Sequence, residues 1–387
     1  MTFIPYGRQD IQESDIDAVV EVLKSDFLTQ GPTVPSFEGK IAQYCDVSHA
    51  IAVNSATSAL HIACLALGLG PGDTLWTTPI TFVASANCAL YCGAKVDFVD
   101  IDNDSYNLSP EALEMKLISA AEKGCLPKIV VAVHLTGHPC DLKAIHRLSQ
   151  KYGFSVIEDA SHAIGARYEG EPIGSCRYSD IAVFSFHPVK IITSAEGGMA
   201  VTNNSELATK MRLLRSHGIT REPNLMTHEP EGPWYYQQIE LGFNYRMTDV
   251  QAALGLSQMT RLDTYVETRQ QLAARYDTKL KDLPLVLPIQ RQNVISALHL
   301  YVIRLKIEEI EVSQQVVFKR MLDSGVGVNL HYIPVHLQPY YKRMGFRKGD
   351  FPASESYYAE AMSIPIYPTM SMDEQDGVIG ALTEAIR

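Results

Sequence analysis

Between Thr74 and Asn203 short apolar runs alternate with helical segments, and this alternation constrains the fold more than any other feature of the chain. The runs DTLWTTPITF, AKVDFVDID, KIVVAVHLTG, FSVIED, SDIAVFSF and MAVTN each carry an apolar stretch without the strict polar alternation of a half-exposed strand. Between them lie a helix over 83–91, one opened by Ser109 and Pro110, and one over 142–152. Pro behind a Ser cap is a helix start signal. Strands that are apolar on both faces belong to a largely parallel sheet, because the crossover helices cover both of its sides. The expected fold class is α/β, a mainly parallel sheet covered by helices.

Upstream, Ile16, Val19, Val20 and Leu23 recur at helical spacing over 14–25, with Ser14 as the expected N-cap. The turn-rich FLTQGPTVPSFE leads to a second helix carrying Phe37, Ile41 and Tyr44. AIAVNSATSALHIACLALGLGPGD then reads as a strand, a polar turn and a helix closed by Gly68 and Gly70. Downstream come a helix over 206–215, a long polar loop over 216–244, and one helical pattern from Thr248 to about Leu280. The remainder predicts a strand HLYVIRLKI, a helix over 312–323, a strand GVNLHYIPV and a helix near 357–361. The last helix has Ser371 and Glu374 in capping-box register.

A chain of 387 residues with 46% apolar content suits two cores. The expected division is 1–255, a large domain with an N-terminal substrate segment, and 256–387, a smaller α+β domain. The formal charge of −11 argues against a surface built to grip nucleic acid or an anionic membrane. No apolar run is long enough to span a bilayer, and MTFIPYGRQD has no basic and apolar leader pattern, so the cytoplasm is the expected location. The seven scattered cysteines read as reduced core thiols. Cys88 and Cys92 share a helix face, but no second ligand pair lies near them, so no metal is expected.

Three features carry chemistry. The turn Asn54 to Ser58 opens a helix, whose first N–H groups and partial positive charge bind phosphate; an ordinary N-cap by Ser55 or Ser58 reads equally from this stretch. Asp159 ends the strand FSVIED, where open α/β sheets place ligand contacts. Lys190 follows in FSFHPVKIITSAEGG, just past the next strand. A buried lysine without a partner tends to be neutral or to form a Schiff base, although Asp159 and Lys190 taken singly also fit a plain salt bridge. An anion cradle, a carboxylate and an amine together are what pyridoxal 5'-phosphate (PLP) requires.

With those residues in view, FSFHPVK followed by EGG, EDASHAIGA, NSATSALH and GFNYRMTDVQAALG resemble the nucleotide-sugar aminotransferases of PLP fold type I. The likeness runs from about Pro5 to the C-terminus. FLTQGP, TPITFVASAN, RSHGIT, GPWYYQQIELGFNYRMTD and HYIPVHLQPYY are similar to the branch of that family that serves pseudaminic acid synthesis. The resemblance implies Lys190 as the Schiff-base lysine and general acid/base, and Asp159 as the partner of the pyridine nitrogen. It implies His162 beside the ring hydroxyl, Phe82 stacked on the ring, and Ala56, Thr57, Ser58 and Ser185 on the phosphate side.

Asn244 matches a residue that reaches the neighbouring subunit's phosphate, which implies a homodimer with shared active sites. Tyr6, the segment Asp26, Phe27, Leu28, Thr29, and the segment His331, Tyr332, Ile333, Pro334 match sugar-nucleotide contacts. The implied partners are a nucleotide sugar and L-glutamate. Relatives that act as sugar dehydratases carry histidine in place of this lysine, so Lys190 points to amino transfer; a PLP-binding regulator without turnover and a transaminase for another 4-keto sugar are the other readings. Two local features stay open: His187 fits either proton traffic or a structural role, and Ala195 stands where many relatives have Gly before EGG.

Overall fold

In the computed structural model, which describes residues 3–387, the apolar runs form one sheet. Its strands are β1 (His49–Val53), β2 (Thr74–Thr77), β3 (Lys95–Phe98), β4 (Ile129–Val133), β5 (Ser155–Asp159), β6 (Ile181–Ser185) and β7 (Gly198–Thr202), in the order β1-β7-β6-β5-β4-β2-β3. Strands β3, β2, β4, β5 and β6 are parallel, while β7 runs antiparallel to both β6 and β1.

The expected covering of both faces is present. The helices in chain order are α1 (Glu13–Lys24), α2 (Thr33–Cys45), α3 (Ala56–Ala66), α4 (Ala84–Tyr91), α5 (Pro110–Glu122), α6 (Leu142–Tyr152), α7 (Ser205–Arg215), α8 (Asp249–Gln258) and α9 (Leu262–Leu280). Successive strand residues point to opposite faces. Val130, Ala132, Ala182 and Phe184 therefore pack with Phe37 and Ile41 of α2, Leu117 of α5 and Ile145 of α6. Ile129, Val131, Ile181 and Val183 pack on the other side with Leu60 and Ala63 of α3, Ala89 of α4 and Met211 of α7. Each large side chain so buried contributes about 1.5–3 kcal/mol.

A second sheet of β8 (Leu285–Val286), β9 (Tyr301–Leu305) and β10 (Ala361–Ile364) is antiparallel, with β9 in the middle. With α9, α10 (Gln314–Asp323) and the last helix (Met372–Ala385) it encloses its own core around Tyr276, Ile303, Met321 and Leu382. Ile4 bridges Val326 and packs there, so the N-terminal strand of chain joins the C-terminal unit.

Several details differ from the sequence expectation. Helix α1 is capped at Gln12, not Ser14, because the Asp15 carboxylate accepts the Gln12 N–H at 3.0 Å. That carboxylate is buried under Ser257, Gln258 and Arg261, while Ile16 and Leu23 are exposed. The helical pattern from Thr248 to Leu280 is broken by a 3-10 turn, Met259–Arg261, at the point where Arg261 pairs with Asp15 at 2.6 Å. GVNLHYIPV is not a strand: only Asn329 bridges Ser363 of β10, and the chain then leaves the sheet edge toward the cleft. Strands β8 and β10 were not expected, and the helix expected near 357–361 runs instead over Pro352–Glu360, ending where β10 begins.

The start of α8 organises the chain around it. Thr248 caps the helix in a capping box with Gln251. Asp249, fully buried, accepts the N–H groups of Gly31 and Thr33 at 2.8 Å and of Val34 at 3.2 Å. Its own N–H donates to the Leu28 carbonyl at 3.0 Å, so the 28–34 segment is tied down at both ends.

Candidate active site

A cleft of about 620 Å³ opens at the C-terminal ends of β4, β5 and β6, and it gathers residues from widely separated parts of the chain, from Tyr6 to Tyr332. Parallel strands put their carboxyl ends on one side of the sheet, which is why residues so distant in sequence meet here. Asp159, the last residue of β5, is 5% exposed. Its Oδ2 accepts from Ser85 Oγ of α4 and its Oδ1 from Ser161 Oγ, both at 2.6 Å. Ser85 Oγ in turn lies 2.7 Å from Thr81 Oγ1. The carboxylate is thus oriented by two hydroxyls and makes no ion pair among the described residues.

Lys190 lies in the loop between β6 and β7. Those two strands are hydrogen-bonded neighbours, with Ser185 opposite Gly198, so both ends of the lysine loop are fixed. Lys190 also forms no ion pair among the described residues, so the plain salt bridge to Asp159 is not realised. Burial in the cleft pushes its amine down to about 8, against the opposing pull of Asp159. Ala195 in the same loop has φ +67°, the left-handed region that favours glycine, so a glycine at this position would relax the turn.

Helix α3 points its start at the cleft. Ser55 Oγ accepts the Ser58 N–H at 3.1 Å, so it caps the helix, while Ala56 and Thr57 line the cleft with their first-turn N–H groups. The two readings of this turn are therefore compatible. A Cβ on Gly198 would come within 2.5 Å of the Ala56 nitrogen, so the end of β7 approaches the helix start as closely as a backbone can. Ser58 does not line the cleft; its hydroxyl donates to Asn54 Oδ1 at 2.7 Å.

Three imidazoles form the far wall: His162, His299 and His331, all buried. Burial, then the nearby positive charge of Lys190, depresses His162, and His331 is pushed down to about 3 for the same two reasons. His162 Nε2 lies 3.2 Å from Tyr332 Oη, and its Nδ1 has no partner among the described residues. Tyr6 packs against His331 with ring centroids 5.5 Å apart. Phe82 presents a largely exposed ring to the cleft, 6.2 Å from that of Tyr332.

Of the residues expected from the sequence, Lys190, Asp159, Ala56, Thr57, Phe82, His162, Ser185, Tyr6, His331 and Tyr332 line this one cleft, as does His187. Asp26, Phe27, Leu28, Thr29, Asn244 and Ile333 are exposed and outside it, and Pro334 is buried outside it. Sequence reasoning missed Ser85, Ser161, His299 and Asn329. Ser85 and His299 act through partners far along the chain, while Ser161 and Asn329 serve near neighbours, Asp159 and His331, and nothing in their own residue type marks that role.

PLP fits the residues present: a clamped carboxylate, an amine without an ion pair among the described residues, open first-turn N–H groups and an imidazole with an orphaned nitrogen line one cavity. The comparisons agree. Residues 9–383 match the family model described as DegT/DnrJ/EryC1/StrS aminotransferase family. The chain is 39% identical to the UDP-4-amino-4,6-dideoxy-N-acetyl-beta-L-altrosamine transaminase of Campylobacter jejuni, over 96% of this chain and 94% of that one. Among solved structures, Helicobacter pylori PseC, an aminotransferase involved in the biosynthesis of pseudoaminic acid, superposes with a TM-score of 0.91 at 30% identity, covering 100% of this chain and 99% of that one. The PLP-form of the sugar aminotransferase Spr1654 from Streptococcus pneumoniae gives a TM-score of 0.88 at 26% identity, covering 99% and 98%. This chain is a PLP-dependent sugar aminotransferase and belongs to the DegT/DnrJ/EryC1/StrS family.

Proposed function

We propose that the protein transfers an amino group from L-glutamate to C4 of UDP-2-acetamido-2,6-dideoxy-beta-L-arabino-hex-4-ulose. The products are UDP-4-amino-4,6-dideoxy-N-acetyl-beta-L-altrosamine and 2-oxoglutarate, and the reaction serves pseudaminic acid biosynthesis. The likeness to the C. jejuni transaminase supports the acceptor. The observation that carries the chemistry is the Lys190 amine, held without an ion pair among the described residues beside a carboxylate that two hydroxyls orient.

Bound here, PLP supplies the electron sink that makes the donor's α-proton removable. Lys190 would hold the cofactor's aldehyde carbon and, once released, carry the proton from the donor α-carbon to the cofactor and back in the second half. An amine depressed to about 8 has a neutral fraction at pH 7 large enough for that work. Asp159, fixed by Ser85 and Ser161, would keep a proton on the pyridine nitrogen. Ala56, Thr57 and Ser185 would hold the phosphate at the start of α3, with Ser58 behind them bracing the turn through Asn54 and Ser55 instead of touching the phosphate, and Phe82 would cover the ring. His162 would sit beside the ring hydroxyl: Tyr332 O–H donating to Nε2 leaves the proton on Nδ1, a donor for an oxygen.

Tyr6, His331 and Tyr332 would face the acceptor sugar, with Ile333 and Pro334 next to them. The exposed Asp26–Thr29 stretch and Asn244 would act on the cleft of a second copy, so the working unit is a homodimer with shared active sites. We place the reaction in the cytoplasm, consistent with seven free cysteines. The division into 1–255 and 256–387 belongs to the same proposal, with the separate C-terminal core in support.

The test is a panel of UDP-, dTDP- and GDP-linked 4-keto-6-deoxy sugars with PLP and glutamate, the product identified by mass and NMR. The named UDP sugar should be aminated at C4 in preference to the others. Amination of a different acceptor, or full turnover by K190A, would overturn the reading.

A further inference from the structure

Behind the imidazole wall lies a buried guanidinium that the reaction as described does not use. Arg269 of α9 is 1% exposed and has no carboxylate partner among the described residues. Its Nη1 donates to the carbonyls of Leu298 and His299, each at 3.2 Å, and of Ile366 at 2.9 Å. The Ile366 N–H in turn donates to the Tyr6 carbonyl at 3.2 Å. A cation taken out of water without a counter-ion is costly, so a structure that keeps one gains something from its place.

What it holds is the main chain of His299, on the approach to β9. The same segment docks on the turn Leu135–Gly137 after β4: the Ala297 N–H donates to Gly137 O at 3.0 Å and the Leu300 N–H to Thr136 O at 3.2 Å. Gly137 has φ +94°, and a Cβ there would lie 2.7 Å from the His162 carbonyl, 3.1 Å from Leu298 N and 3.2 Å from His299 N. The backbones bearing the two imidazoles thus meet across a single glycine. Their rings touch as a result, with centroids 4.5 Å apart and planes at 48°. The Tyr332 ring lies nearly parallel to that of His162, at 25° with centroids 6.2 Å apart, and meets it through the Oη–Nε2 contact.

We propose that His299, pinned by Arg269, is a positioning residue for His162: it wedges the His162 ring against Tyr332 and so aims the free Nδ1 at the cofactor's ring oxygen. The docking of the second sheet on the first is thereby coupled to the cofactor's edge. Protonation of either ring is opposed by burial and by the cations nearby. For His299 those cations are Lys190 and Arg269, the other titratable groups facing it are the rings of His162 and His331, and burial depresses its own ring well below the usual range. Two neutral rings can pack at this distance without repulsion.

The inference rests on the reading of His162 given above, and the test separates the two. Holoenzymes H162A, H299A, R269M and R269K are compared for visible absorbance from pH 6 to 9, cofactor loss on dilution, and kcat against KM for the acceptor. H299A should displace the absorbance band, speed cofactor loss and lower kcat by roughly 10- to 100-fold, with the acceptor KM changed by less than about twofold. R269M should follow H299A, and R269K, which keeps a donor to the carbonyls, should recover most of the wild-type spectrum. If H299A does not fold, H299Q takes its place. An H299A or H299Q holoenzyme with wild-type spectrum and cofactor retention overturns the inference, whatever its thermal stability. If H162A itself has the wild-type spectrum, the assignment of His162 falls first and the inference with it.

Discussion

Replacing Asp249 by Ala should destabilise the protein through a segment that lies outside the helix bearing the mutation. The carboxylate is fully buried and accepts three backbone N–H groups, from Gly31, Thr33 and Val34. Hydrogen bonds to an ionised acceptor contribute about 1.5–3 kcal/mol each, but water can reach a donor that is only partly buried and recover much of that. Gly31 and Thr33 are partly buried and Val34 is buried, so one donor bears the full penalty and two bear a fraction of it. The expected loss is about 3–5 kcal/mol for D249A and about half that for D249N, which keeps one acceptor oxygen. Urea unfolding at fixed PLP concentration measures the total. Amide exchange followed by mass spectrometry over 28–34 measures the local part, which should rise in both variants. A loss under about 1 kcal/mol with unchanged exchange there would refute the assignment of Asp249 as the anchor of that segment.

Three further outcomes are expected. Cofactor uptake by the cofactor-free protein should speed up as pH rises through about 8 and then level off, because the reacting form of Lys190 is the neutral amine and burial sets its midpoint there; stopped-flow absorbance reads this, and a midpoint near 10.5 would contradict it. S85A should lower kcat/KM for glutamate by roughly 10- to 100-fold, since it removes one of the two hydroxyls that orient Asp159, while the melting temperature changes little. G198A should weaken PLP binding by about 1–3 kcal/mol, because its new methyl group meets the Ala56 nitrogen at 2.5 Å and must push the start of α3 aside; equilibrium dialysis measures it.

Periodicity made the main sheet legible. The six apolar runs and the helices between them fold where the pattern placed them, because each strand contributes alternately to cores on both faces, as β4 does with Val130 and Ala132 on one and Val131 on the other. Lys190, Asp159 and the 54–58 turn were legible as chemistry because each sits at the end of a strand. What failed was set by contacts between distant segments. The cap of α1 moved to Gln12 because Asp15 is engaged by Ser257, Gln258 and Arg261, some 240 residues away in sequence. GVNLHYIPV has strand composition, but His331 and Tyr332 turn into the cleft instead of continuing along β10. Ser85, Ser161 and His299 carry no local signature, since their work is to hold another side chain.

The pairing of β1 has a consequence for how the molecule is made. Its hydrogen-bond partner in the sheet is β7, with His49 opposite Thr202, so the first strand to be synthesised joins the sheet through the last. At ordinary elongation speeds the partner emerges roughly 10 to 30 s after β1 does. Helix α3 hangs from β1, so the phosphate end of the cofactor site is in place only after the lysine loop has been built. The nascent chain can bury the β4–β6 centre of its sheet early, yet it has no complete seat for PLP until residue 202 has left the ribosome.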